Sequence, residues 1–128
     1  DCVEIYFDVR PNEKRGKGPY DSGVYHAIIV PCFGPKKFAD TMTLYLANNK
    51  SEPMPKGCRV ESKLMPDGYR VEAFFPFSMF AYPPENEFNF DVGVIDYDAA
   101  DNMTQMVWSG VAENYNNTNY FARMKPAR

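Results

Sequence analysis

The sequence predicts an all-β fold, an antiparallel β-sandwich of the jelly-roll or immunoglobulin-like kind, on three observations. Apolar residues recur at every second position in several runs, no segment sustains a helical period, and turn residues punctuate the chain throughout. There is no internal repeat that would point to a solenoid or propeller.

The first run, DCVEIYFD, puts Val3, Ile5 and Phe7 on one face of a strand and Glu4, Tyr6 and Asp8 on the other. It predicts a half-buried sheet with its acids turned outward. A carboxylate beside a tyrosine on an exposed sheet face offers a hydrogen-bond acceptor and a flat apolar surface, chemistry suited to binding a polyhydroxylated ligand rather than breaking a bond. The segment 11–23 is dense in Pro, Gly, Asn and Asp and reads as a long connection. Its basic cluster, Lys14, Arg15 and Lys17, reads as a solvated loop tip. VYHAIIVP is a strand ended by Pro31, TMTLYLA is another, and NNKSEPMPKG is a loop.

The two alternating runs in CRVESKLMPDGYRVEAFFP meet at Pro66-Asp67-Gly68 and form a β-hairpin. FSMF suits one helical turn with Ser78 as its cap. FNFDVGVID is a further strand, with Phe90, Val92 and Val94 on one face and Asp91, Gly93 and Ile95 on the other, and MVWSG and TNYFARM supply closing strands. Trp108, the single tryptophan, lies in an apolar stretch and reads as a core residue.

At 128 residues, with 45% hydrophobic and 16% aromatic content, the chain is expected to be one domain, residues 1–128. A net charge of -3 and a pI near 5.1 supply no cationic footprint for nucleic acid or an anionic membrane. No apolar run approaches the ~20 residues that span a bilayer, and no stretch within these residues reads as a signal peptide. The start at Asp1, already inside a strand pattern, creates the expectation of a processed form or a piece of a longer polypeptide. Cys2, Cys32 and Cys58 allow three alternative single pairings with one thiol left over. Asn49, Asn102 and Asn116 head glycosylation triplets, which matter only in a secreted eukaryotic protein.

Asp96, Asp98 and Asp101 with Asn102 supply hard oxygen ligands within one expected loop, the type that calcium prefers, although the Gly and terminal Glu of an EF-hand are missing. His26 is the only histidine, which excludes His-based triads and multi-His zinc sites within this chain. Glycoside hydrolysis needs two carboxylates across a cleft. Glu4 and Glu72 could meet only if their strands are neighbours, so the reading is non-catalytic.

Four anchors in order resemble the family 9 carbohydrate-binding modules, β-sandwiches often appended to xylanases and other polysaccharide-degrading enzymes. Asp1 to Asp8 is similar to the family run Asp-Ser-Val-Glu-Ile-Phe-Ile-Asp, and Gly68 to Phe74 to its Gly-Tyr-x-Val-Glu-Ala-Ala strand. Phe90 to Asp96 is similar to its strand ending in an acidic loop, and Trp108 to Tyr115 to its Trp-Ser and Asn/aromatic loop. The resemblance implies a secreted, surface or periplasmic module that binds oligo- or polysaccharide, with structural calcium in some members and a catalytic domain elsewhere in the polypeptide.

In the family the ligand lies between two tryptophans, with Glu, Asn, Gln and Arg bonding its hydroxyls. Glu4 matches that Glu, and Asn114 and Tyr115 fall in the loop of the second aromatic. Gly93 stands at the Gln, the Arg falls among His26, Ala27 and Ile28, and the equivalent of Trp108 is structural. The first tryptophan and additional strands precede the first anchor in the family, so a chain without them would leave the first strand at an unpaired edge. The expected ligand set is Tyr115 stacking on a sugar, with hydrogen bonds from Glu4, Asn114 and Asp91 or Glu72. Two alternatives stay open: a heme-binding or redox sandwich, since heme-binding relatives use Met, His or Lys and this chain offers Met103, Met106 and His26, and a protein-interaction module that has lost the sugar site.

Overall fold

A computed structural model describes residues 1–31, 41–46, 50–84, 86–99 and 102–127, with the backbone alone at 98 and 99. Nine strands follow one another in these residues: β1 (Cys2–Asp8), β2 (Val24–Val30), β3 (Thr41–Leu46), β4 (Ser51–Pro53), β5 (Arg59–Met65), β6 (Gly68–Phe74), β7 (Phe88–Ala99), β8 (Asn102–Val107) and β9 (Ala122–Met124). Seven form one antiparallel sheet in the order β4-β3-β2-β1-β7-β8, with β9 beside β8 along the outer edge of β7. The second layer is the β5–β6 hairpin, joined where Pro66 and Asp67 turn the chain. The antiparallel β-sandwich expected from the alternation is therefore present, with one large and one small layer.

The core lies between the layers. Val3, Ile5 and Phe7 project toward it from β1, Tyr25, Ala27 and Ile29 from β2, and Met42 and Leu44 from β3. Val60, Val71 and Ala73 of the hairpin pack against them. Phe7 is its hub, with ring centroids 5.0 Å from Phe75, 5.1 Å from Phe80 and 5.7 Å from Phe90. These tilted and edge-on contacts add to the burial of large apolar rings.

Several expectations need correction. β1 is a central strand, paired to β2 on one side and β7 on the other, so the edges of the sheet lie elsewhere. Its second face is not solvent-facing: Tyr6 and Asp8 are 0% exposed and Glu4 6%. Strand alternation assigns faces but cannot say whether loops cover the polar one. Ser78 lies within the 3-10 turn Phe77–Met79, where Pro76 precedes the turn without a side-chain cap. The loop after β3 contains the short strand β4, which pairs with β3. Arg15 of the basic cluster is tied down, donating to the Arg10 carbonyl at 3.0 Å and pairing with Glu87 at 3.2 Å. Trp108, just past the edge strand β8, is 56% exposed rather than in the core, with its ring edge-on to Phe90. Cys2 and Cys58 are free thiols, the latter 3.4 Å from the Met79 sulfur, and Cys32 lies outside the described residues.

Candidate functional site

The polar face of the large sheet is covered by two loops that are bound to each other. Arg10, just past β1, forks onto Asp8 with Nε–Oδ1 and Nη2–Oδ2 both at 2.8 Å, and donates to Thr118 Oγ1 at 2.8 Å. The backbone N–H of Gly16 donates to Asp8 at 2.7 Å, and that of Thr118 to the Gly18 carbonyl at 3.0 Å. A buried bidentate pair of this kind is stabilising only when its remaining hydrogens are satisfied, and here they reach both loops. The loop of residues 11–22 and the segment of 112–119 are thereby held over β1 and β2.

Asp91 anchors the second loop. Fully buried on β7, it accepts from the Ser109 backbone N–H at 3.1 Å, the Ser109 hydroxyl at 2.7 Å and the Asn114 side-chain amide at 3.0 Å. Asn114 is also fully buried, and its main-chain carbonyl accepts from the Tyr20 hydroxyl. Its side-chain oxygen has no protein donor. Asp91 and Asn114, expected among the ligand-binding residues, thus stand behind the surface and hold Tyr115, which is 59% exposed.

Between the loops and β3 opens a cleft of about 400 Å³. Pro19 and Tyr20 line it from one loop, Tyr115 and Asn116 from the other, and Tyr45 and Leu46 from β3, with His26 of β2 between them. Cross-strand register explains the row: Tyr45 lies opposite His26, and His26 opposite Tyr6. The imidazole stacks on Tyr6 with centroids 4.3 Å apart and planes 15° apart, and lies 5.7 Å from the Tyr45 ring.

Glu4 sits beneath this row. Its Oε1 is 3.2 Å from His26 Nε2, while Oε2 accepts from the Tyr6 hydroxyl at 2.9 Å and, at a long 3.4 Å, from the Gln105 amide. A carboxylate only accepts, so Nε2 of His26 carries the hydrogen in this pair. Burial pushes the Glu4 carboxyl up, but the hydrogen bonds from His26, Tyr6 and Gln105 outweigh it and hold the group below the usual carboxylate range. Burial, and then the Glu4 charge, push the phenols of Tyr6 and Tyr20 well above their ordinary value. Both stay neutral donors at any physiological pH. Gly93, opposite Glu4 on β7, keeps a side chain away from this carboxylate, and Gln105 reaches it from β8.

Of the expected residues, Glu4 and Tyr115 belong to this region and Asp91 and Asn114 support it. Glu72 does not join them: it projects outward from β6, in the other layer, so Glu4 and Glu72 lie on opposite outer sides of the sandwich. Asp96 and Asp98 are on β7 rather than in a loop. Asp96 is exposed, while the Asp98 side chain and all of Asp101 lie outside the described residues. Met106 pairs opposite Val94 on the core side of the sheet, whereas His26 is on the polar side with β1 and β7 between it and β8, so these two do not converge on one iron. Tyr45 was open to sequence reasoning, because Thr41, Thr43 and Tyr45 alternate with the apolar Met42, Leu44 and Leu46. Gln105 was not, since its approach to Glu4 depends on the β7–β8 register.

Comparison with solved structures bears on this geometry. A family 9 carbohydrate-binding module from Caldicellulosiruptor kristjanssonii, solved in complex with glucose, superposes with a TM-score of 0.62 at 21% identity. The fold is that of a family 9 carbohydrate-binding module. The match covers 98% of this chain and 58% of the solved one, so this chain spans well under two thirds of that structure. No protein-family model and no curated protein matches the sequence.

Proposed function

We propose that this domain is a non-catalytic saccharide-binding module, exported, that is appended to or acts with a polysaccharide-degrading enzyme. The observation that carries the reading is the cleft in which exposed Tyr45 and Tyr115 border His26, itself hydrogen-bonded to Glu4. Aromatic rings offer flat faces to the C–H side of a sugar, and the polar groups between them meet its hydroxyls. The glucose bound to the module of like fold supports the same ligand class.

In this reading Tyr115 stacks on the sugar, and the His26–Glu4 pair sets the hydrogen-bonding pattern at the floor. Because Glu4 is 6% exposed with both oxygens engaged, it acts mainly through His26. Xylan and cellulose fragments are the first ligands to try. Asp96 with Asp98 and Asp101 is the candidate calcium group, checked by repeating each titration in chelator.

Calorimetry with xylo- and cello-oligosaccharides tests the proposal. Saturable binding is expected, weakened about tenfold in Tyr115→Ala, which corresponds to roughly 1.4 kcal/mol of lost stacking and burial. Binding that survives Tyr115→Ala unchanged would remove the cleft from the argument, and silence across the panel in the folded protein would remove the function.

A further inference from the structure

The outer face of the β5–β6 hairpin carries a second concavity, on the side of the sandwich opposite the Tyr115 cleft. Its residues come in rungs fixed by the hairpin register: Arg59 opposite Phe74, then Glu61 opposite Glu72. They line a shallow depression of about 240 Å³. Phe74 is 50% exposed although the inward positions of β6 supply ample apolar burial, and the Arg59 guanidinium lies 4.8 Å over its ring centroid. Strand alternation turns the ring outward with Arg70 and Glu72, and the guanidinium makes a cation–π contact with it there.

The next rung is as informative. Glu61 and Glu72 stand directly across the ladder, where like charges oppose each other at a cost to hairpin stability. No described salt bridge joins either of them to Arg59, Lys63 or Arg70. Two carboxylates whose acceptor sites are open, a guanidinium donor and a half-exposed ring are thus gathered in one hollow. Hydroxyl groups donated to carboxylates make charge-assisted hydrogen bonds, and adjacent hydroxyls on one pyranose edge suit two acceptors side by side.

We propose that this hollow is a second saccharide subsite, in which Phe74 is the stacking platform, Glu61 and Glu72 accept ligand hydroxyls and Arg59 donates to a ring or linkage oxygen. The proposal rests on the saccharide-binding reading of the protein and extends it. Because the two sites face away from each other across two packed sheets, one short oligosaccharide cannot fill both. The domain instead holds two separate chains, or two remote stretches of one polymer, and bridges them.

Amide-resolved NMR titration with cello- and xylohexaose separates the outcomes. Expected are two independent sets of shifts, one around His26 and Tyr115 and one around Arg59 to Glu61 and Glu72 to Phe74. In Tyr115→Ala the hairpin set persists, and in Phe74→Ala or Glu72→Gln it is lost while the cleft set stays. Both hairpin substitutions are at exposed positions, so the fold survives them. The full-length chain should also raise light scattering of a soluble polysaccharide by bridging, and Phe74→Ala should abolish that rise. Shifts confined to the cleft would overturn the second site and leave the function intact. No shifts anywhere would overturn both.

Discussion

Replacing Asp91 by alanine separates a ligand-binding carboxylate from a structural one. Asp91 is fully buried, and three of its donors, the Ser109 N–H, the Ser109 hydroxyl and the Asn114 amide, come from the segment that carries Tyr115. The buried Asn114 amide left without a partner costs about 1–3 kcal/mol, and each of the two part-buried Ser109 donors less. Water entering the vacated space recovers part of that sum, so a loss of about 2–4 kcal/mol is expected against a total stability of roughly 5–15 kcal/mol. Urea unfolding gives the number, with an unchanged m-value showing that the midpoint shift reports stability. Ser109→Ala, which removes one of the three donors, should cost about 1–2 kcal/mol and be strongly non-additive with Asp91→Ala. Amide spectra of Asp91→Ala should show residues 109–118 displaced and saccharide affinity lowered indirectly. A loss under about 1 kcal/mol, with the Tyr115 and Asn116 signals unmoved, would refute the assignment of Asp91 as the anchor of this loop.

Two further outcomes follow from the same polar layer. The Glu4 carboxyl lies below its ordinary value of 4.5 when folded, so its contribution is complete above that pH and is lost as pH falls through the folded value. Thermal midpoints across the acid range should therefore fall less steeply in Glu4→Gln than in the parent, and parallel curves would show that Glu4 is not held by His26 and Tyr6. Gly23 has φ +101°, and a Cβ there would come 2.9 Å from Arg10 Cγ and 3.0 Å from the Tyr82 ring. Gly23→Ala should cost about 1–3 kcal/mol from the backbone conformation and the clash together, measured by urea unfolding, whereas Gly110→Ala, with φ +75° but open space around it, should cost less.

The alternation of apolar residues located most of the strands and the core face of β1, and with the Pro66-Asp67-Gly68 turn the hairpin, because the two-residue period of a strand is a local property of the chain; the short β4 and the extension of β7 through Ala99 escaped it. It also placed Phe90, Val92 and Val94 against Asp91, Gly93 and Ile95 correctly. Tertiary structure decided what covers the other face. Glu4, Tyr6 and Asp8 read as outward-facing, yet loops distant in sequence close over them through Arg10, Thr118 and Asn114. Asp91 and Asn114 look like surface ligands in the sequence and are buried anchors in the fold. Glu72, an alternative to Asp91 in the expected ligand set, faces the opposite side of the sandwich from Glu4. The strand period tells which residues share a face. Which faces meet, and which carboxylates find donors, depends on register and loop closure between segments as far apart as Arg10 and Thr118, and no local pattern encodes that pairing.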